Sequence, residues 1–409
     1  MITPVAEIKV GLDFGSGIKP VGRLAIRNGI IYFQYDEDFV NSGFEISPFR
    51  LPLKRGLSEL PLHPFDGLAG VFSDSLPDGW GRLLFDRMIR SLGLMPSDVT
   101  PLDRLAHVGL HGMGALVYEP DNSPEVPKDS VELDVLAVQT ENVLKGISEE
   151  VIAELLALNG SSAGARPKAI IGVDRDRKNI LYGAQNLDNT FEHWLVKFSN
   201  SQDGPDSGAI EYVYARMAAE AGISIPDVHL FPSQRGSGYF AVKRFDRDKN
   251  RRLHMHTVSG LLHSNFRLPS HDYEDLLTLT ATLTKDIREV EKMYRLAVFN
   301  VLAHNRDDHA KNFSFLMDDS GNWKLSPAYD LTFSSGPGGE QSTMVLGEGK
   351  NITIKHLVKL GQEAKLSKGF IDSTIELTRY ALNQWKDLSN KYGVDKRNVD
   401  LINGIITKF

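Results

Sequence analysis

The sequence predicts an α+β fold of two lobes with a cleft between them. Three observations carry that expectation. Strand-like alternation fills the first forty residues and returns between 160 and 245. Helix-spaced apolar patterns take over beyond about residue 250. A dense polar cluster, "NRDDHAKN" (305–312), follows directly on the most apolar of those helical stretches. A strand-rich half beside a helix-rich half places such a cluster where the two meet.

The elements follow in order. "EIKVGLDF", "VGRLAIRN" and "IIYFQYDE" alternate as strands between glycine-bearing turns, and "WGRLLFDRMIRSL" (80–92) has helix spacing. "ALVYEPDNSPEVPKDS" (115–130) carries three prolines and many turn formers and predicts a boundary. The expected division is an N-terminal subdomain over 1–125, a strand-rich N-lobe over 126–245 and a helical C-lobe over 246–409. In the N-lobe, "PKAIIGVD" and "NILYGAQ" flank the charged turn "RDRK" and predict a hairpin. "HWLVKF" (193–198) puts Trp194, Val196 and Phe198 on one face and Lys197 on the other. "SGAIEYVYARMAAEAG" (207–222) predicts a helix with Ser207 as N-cap and Gly222 as its stop. "GYFAVKRF" (238–245) is a strand that ends in the charged turn "DRDKNRR". "DIREVEKMYRLAVFNVLAHN" (286–305) is the apolar helix, with Asp286 and Glu289 spaced as a capping box.

Composition narrows the function classes. The 409 residues leave room for two or three domains, and 41% hydrophobic with 24% charged residues is ordinary for a globular protein. The net charge of −7 argues against an autonomous nucleic-acid binder. The absence of cysteine excludes disulfides, thiolate metal sites and cysteine nucleophiles, and fits a reducing compartment. Neither a secretory signal nor a membrane-spanning stretch is legible, so the expectation is a soluble cytoplasmic protein.

The polar cluster has the spacing of phosphoryl-transfer chemistry. Asp307 and Asn312 form D-x-x-x-x-N: one carboxylate to accept a hydroxyl proton, and one amide oxygen to help hold Mg²⁺. Asp330, in "LSPAYDL", follows eighteen residues later and can join the metal to nucleotide phosphates. Upstream, the small-residue turn "NGSSAGARPK" (159–168) offers backbone N–H groups to phosphate. Lys197 can reach the α- and β-phosphates, with Glu211 on the next helix as its ion-pair partner. Each part alone has an ordinary alternative: a solvated loop, a surface lysine, a carboxylate at a helix start. Their order points to an ATP-dependent kinase. Three rivals stand beside it: a metal-dependent phosphohydrolase using His304, Asp307, Asp308 and His309, a non-catalytic binding module, and a kinase for a small molecule or lipid.

The ordered set resembles the HipA-like serine/threonine protein kinases, the toxins of HipA/HipB-type toxin–antitoxin modules. "SSAGARPK", "LVKF", "AVKRFDR", "NRDDHAKNFSF" and "LSPAYDL" match the family's blocks in order, and "FDGLAGVFSDSLPDGWGRLLFDRMI" resembles its amino-terminal subdomain. The resemblance implies a two-lobed kinase-like fold with an extra N-terminal subdomain and an all-helical C-lobe. It implies Asp307 as catalytic base, Asn312 and Asp330 as Mg²⁺ ligands, and Lys197 on the ATP phosphates. The same resemblance places the backbone of Lys243, Arg244 and Phe245 against adenine, and His309, Lys311 and Tyr329 near the nucleotide. Ala163, Gly164, Ala165 and Lys168 belong to the implied phosphate loop. Ser161 stands at its autophosphorylation position, with Ser162 as the second choice. Arg166-Pro167 replaces a familiar glutamine–glutamate pair, and Lys243 stands where an acidic residue can occur. The implied partners are a helix-turn-helix antitoxin of the HipB type, DNA through that antitoxin, and a protein substrate such as an aminoacyl-tRNA synthetase. No membrane partner is implied.

Overall fold

A computed structural model describes residues 4–124, 130–147, 151–159, 164–183, 187–200, 203–249 and 251–408. The first strands are β1 (Glu7–Asp13), β2 (Ile18–Arg27), β3 (Ile30–Tyr35), β4 (Leu57–Glu59) and β5 (Leu116–Glu119), in the sheet order β4-β3-β2-β1-β5. Alternation decides which face is buried: Ile8, Val10, Leu24, Ile31 and Phe33 enter one apolar core. Helices α1 (Glu37–Ser42), α2 (Gly70–Ser73), α3 (Gly79–Ser91) and α4 (Pro101–Val108) follow the chain around it. Thr100 and Asp103 close a capping box at the start of α4, ahead of Pro101. Helix α3 departs from this module. Its Trp80, Leu84, Phe85 and Ile89 pack into the next core.

That second core lies under β6 (Lys168–Asp174), β7 (Ile180–Tyr182), β8 (Phe191–Lys197), β9 (Val228–Phe231) and β10 (Tyr239–Lys243), ordered β7-β6-β8-β10-β9. The expected β6–β7 hairpin forms, and Trp194, Val196 and Phe198 are buried as their alternation requires. Helices α5 (Leu133–Leu144) and α6 (Ile152–Asn159) cover it together with α3. Helix α7 (Ser207–Glu220) starts one residue earlier in role than expected: its N-cap is Asp206, not Ser207. The Asp206 carboxylate does not cap the helix but accepts from Asp395 N and Asn398 Nδ2, at 2.9 Å each.

The C-lobe is helix-dominated rather than all-helical. The short hairpin β11 (Arg247–Asp248) and β12 (Arg251–Arg252) leads into it. Strands β13 (His254–Thr257), β15 (Ser314–Met317) and β16 (Trp323–Leu325) then form a small sheet, and β14 (His271–Asp272) pairs with β17 (Thr343–Met344). Strands of two to four residues are too short to show a period, so helical patterning hid them. Helices α8 (Val258–Leu262), α9 (Tyr273–Thr284), α10 (Ile287–Leu302), α11 (Ile354–Glu363), α12 (Lys368–Leu382), α13 (Trp385–Lys391) and α14 (Lys396–Ile406) build the third core. Asp286 caps α10 through Arg288 N at 2.9 Å. Glu289 does not complete a capping box, because its carboxylate turns to Leu325 N (2.9 Å) and Lys292 (2.6 Å).

Two seams fasten the N-terminal module to the rest. Asp246 accepts from Arg244, Arg247 and Gly114 N, while Arg247 and Arg252 donate to the carbonyls of Gly112, Gly114 and Leu110. Buried His256 bridges buried Ser47 Oγ (3.0 Å) and the half-buried Asp74 (2.6 Å). Among the described residues no helix is long and apolar enough to cross a membrane.

Candidate active site

The cleft is built from a pairing register. Strands β6 and β8 run antiparallel with Lys168 opposite Lys197, so two ammonium groups share one face. Adjacent like charges repel unless carboxylates separate them. Glu211 on α7 and Asp330 supply those charges, and Lys197 Nζ bonds both. Three parts of the chain thus converge: an N-lobe strand, an N-lobe helix and a C-lobe loop. Burial by itself would raise the Asp330 carboxyl, but Lys197 and Lys168 outweigh it and hold it well below the usual carboxylate range. Burial pushes Lys168 down to about 8. Asp330 adopts φ 55°, a left-handed backbone that aspartate tolerates better than branched residues.

The catalytic-loop candidate is positioned by the end of α10. His304 takes φ 55° after Ala303, and Asn305 N returns to Asn300 O at 2.9 Å, which turns the chain out of the core. Asp307 then reaches solvent while Asp308 faces inward. Protein atoms crowd Asp307, and this crowding raises its carboxyl; Asp330 adds to the rise, while His309 and Arg166 oppose it. Asn312 Nδ2 donates to the Asp307 carbonyl at 2.6 Å, tying the two ends of D-x-x-x-x-N together. Asp308 accepts from Tyr273 OH (2.5 Å), Gln341 Nε2 (3.0 Å), Ser342 N (3.0 Å) and Thr343 N (3.2 Å). It is a girder of the loop.

The remaining expectations divide. Tyr329 lies near Phe245, ring centres 5.5 Å apart, but its hydroxyl is occupied by Ser314 and the Lys311 carbonyl. His309 packs on Phe266 at 5.1 Å, and its buried Nδ1 has no hydrogen-bond partner among the described residues. Lys243 N and Arg244 N are already bonded to Asp227 O and His193 O, at 2.8 Å each. The Arg244 side chain is buried against Asp246, and Lys243 pairs with Glu192 at 2.7 Å. Ala165 and Gly164 lie in the described end of the expected phosphate loop. Ser161, Ser162 and Ala163 lie outside the described residues.

Two residues of the cleft escaped the spacing argument. Arg166 pairs with Asp203 (3.1 Å) and Glu211 (3.4 Å), and its charge is felt at Asp307 and Asp330. Asp78, from the N-terminal module, bonds Gly164 N and Lys311 Nζ, the latter at 2.6 Å. Among the described residues no group of three or more His, Asp or Glu side chains is arranged to hold a metal. His304 stacks on Phe333 instead, at 5.4 Å. The hydrolase arrangement of His304, Asp307, Asp308 and His309 therefore does not assemble, because Asp308 is consumed inside the loop.

Fold and site together define a two-lobed kinase-like protein with an added N-terminal module. Comparison with known proteins agrees: the HipA-like C-terminal domain matches residues 160–386 and the HipA N-terminal domain matches 16–119. The chain belongs to the HipA family of serine/threonine kinase toxins. It is 26% identical to the serine/threonine-protein kinase toxin HipA of Shewanella oneidensis over 325 residues, 73% of this chain and 68% of that protein. A Sinorhizobium fredii relative with a kinase name is 24% identical over 398 residues, 88% of this chain and 89% of its own. The fold matches HipA of Shewanella oneidensis, solved with HipB and operator DNA, at TM-score 0.68 and 18% identity. The match covers 98% of this chain and 95% of that one.

Proposed function

We propose that this HipA-family protein is an ATP- and Mg²⁺-dependent serine/threonine protein kinase, acting in the cytoplasm. The observation that carries the reading is Lys197 bridging Glu211 and Asp330 across the two lobes. In this reading Asp307 accepts the proton of the substrate hydroxyl as it attacks the terminal phosphate. Burial raises its carboxyl above the ordinary range, which makes it a stronger proton acceptor than a solvated carboxylate. Lys197 holds the α- and β-phosphates, and Gly164, Ala165 and Lys168 face the phosphates from above. His309 and Lys311 meet the nucleotide from the catalytic loop, while Tyr329 braces that loop from behind. The occupied N–H groups of Lys243 and Arg244 shift the adenine contact toward Phe245 and the carbonyls of this segment.

The donor set fits a hard divalent cation: the carbonyl oxygen of Asn312 and the carboxylate of Asp330, which its lysine neighbours keep ionised. When bound, Mg²⁺ supplies charge neutralisation to the phosphates. We further propose a HipB-type helix-turn-helix antitoxin as partner, with DNA contacted mainly through it, and a protein substrate such as an aminoacyl-tRNA synthetase. Autophosphorylation at Ser161, or at Ser162, belongs to the same proposal, as does the three-part division at about residues 125 and 245. Incubation with labelled ATP and Mg²⁺, with and without cell extract, followed by phosphosite mapping, tests the whole reading. Label transferred to protein serine by the wild type, and lost in Asp307→Asn, is the expected result. Free phosphate released without protein labelling would favour a hydrolase.

A further inference from the structure

Asp78 occupies the N-cap of α3, where an aspartate ordinarily accepts from the helix's own first-turn N–H groups. Here its side chain makes no such bond. It is diverted into the cleft, where one carboxylate oxygen accepts from Gly164 N–H and the other from Lys311 Nζ at 2.6 Å. A second bond fixes the approach, since Trp80 N donates to the Gly164 carbonyl at 3.0 Å. The turn needs glycine between them: Gly79 has φ 46°, and a Cβ there would run into the Gly164 backbone. Lys168 lies on the other side of Gly164, where a Cβ added to that glycine would meet its Nζ. The side chains of Asp78 and Lys311 are only 17% and 11% exposed, so their attraction is little screened by water.

We propose that Asp78 is a positioning residue of the nucleotide site, contributed by the N-terminal module, whose carboxylate stands in for a phosphate. It holds the phosphate-loop amide of Gly164 and the catalytic-loop ammonium of Lys311 in place until a phosphate oxygen takes Lys311 from it. The inference rests on the reading of the cleft as an ATP site. Two consequences follow from charge alone. Phosphorylated ligands must displace a carboxylate and are disfavoured by it, whereas an uncharged nucleoside is not. Through this contact the start of α3, where the chain passes from the N-terminal module into the N-lobe core, sets how readily the site accepts nucleotide.

Calorimetry on the full chain with Mg·ATP, Mg·ADP and adenosine separates the possibilities. Asp78→Asn keeps an acceptor for Gly164 N–H but removes the charge. It is expected to bind Mg·ATP about tenfold more tightly than the wild type, with adenosine unchanged. The gain should vanish when Lys311→Gln is combined with it, because no displaced ammonium remains. A purely structural Asp78 would move all three ligands alike. If the amide variant fails to fold, Asp78→Ser, which retains a hydroxyl acceptor, takes its place with the same expectation. Mg·ATP binding that is unchanged or weaker in a folded variant would overturn the displacement while leaving the nucleotide site standing. Failure of the wild type to bind any of the three would instead remove the nucleotide reading, and this proposal with it.

Discussion

Two clusters of buried charge sit at the two ends of the N-lobe, and they have opposite characters. In the seam beside the N-terminal module, Asp246 is fully buried and every donor it needs is supplied by protein: Arg244 twice, Arg247 and Gly114 N. Burial would raise its carboxyl, yet Arg244 and Arg247 hold it well below the ordinary range. In the cleft, Lys197 is also paired twice, but 35% of the Asp330 side chain stays exposed. Asp307 faces solvent there, and His309 Nδ1 has no partner among the described residues. The difference teaches that buried charge by itself marks neither glue nor site. A cluster whose polar groups are all satisfied is a joint, and one that leaves groups open toward a cleft is prepared for a ligand.

Mutations on the two sides should separate activity from stability. Asp307→Asn is expected to lower phosphoryl transfer by ~10²–10⁴-fold, the usual scale of general-base loss, with the melting temperature nearly unchanged. Initial rates with labelled ATP, beside a thermal melt, measure both. Asp246→Ala should do the reverse. Leaving the guanidinium groups of Arg244 and Arg247 buried without their carboxylate should cost about 3–5 kcal/mol in urea unfolding.

Asp308 sharpens the comparison, since it belongs to the joint class although it neighbours the proposed base. Burial pushes its carboxyl up to about 7, against the pull of Tyr273, Gln341 and the Thr343 N–H. A folded-state value raised above the unfolded one means that the native protein keeps a proton the unfolded chain loses. The stability this gives is complete below about pH 4 and is lost as pH rises toward 7, at no more than about 1.4 kcal/mol per pH unit. Asp308→Asn, which cannot ionise, should flatten that decline in melting temperature between pH 4 and 8. A slope identical to the wild type would assign the pH dependence elsewhere.

The smallest effect is expected at Lys243, whose pair with Glu192 is about a third exposed. Lys243→Ala should alter stability by less than about 1 kcal/mol. Mg·ATP affinity should stay within about threefold of the wild type, a change of less than about 0.7 kcal/mol.

The sequence made the cleft legible where function imposes short spacings. Asp307 of D-x-x-x-x-N, the later Asp330, the lone lysine of an alternating strand and the carboxylate on the following helix lie close together. Long-range partners left no such trace. Asp78 lies 86 positions from Gly164 and 233 from Lys311, and nothing local in "SLPDGW" says that its carboxylate serves a distant loop. Arg166 was visible as a departure from the family's usual residues, but its carboxylate partners were not. The "DRDKNRR" run read only as a charged turn after a strand, because sequence shows the charges and not the 110–114 loop that buries Asp246 and Arg247. The same limit applied to the small sheets of the C-lobe. A four-residue strand such as β15, buried on both faces, has no alternation to display.

What sets the two clusters apart, on this reading, is that nucleotide completes the cleft while the seam is complete already. Thermal melting of the wild type, Lys197→Ala and Asp330→Asn, each with and without saturating Mg·ATP, tests it most directly. Mg·ATP is expected to raise the melting temperature of the wild type, as binding to the native state alone requires. Both variants are expected to lose that rise, each measured against its own ligand-free melt, and Lys197→Ala is expected to start lower because Glu211 loses its partner. A wild type indifferent to Mg·ATP, or variants stabilised by it as strongly as the wild type, would contradict this reading.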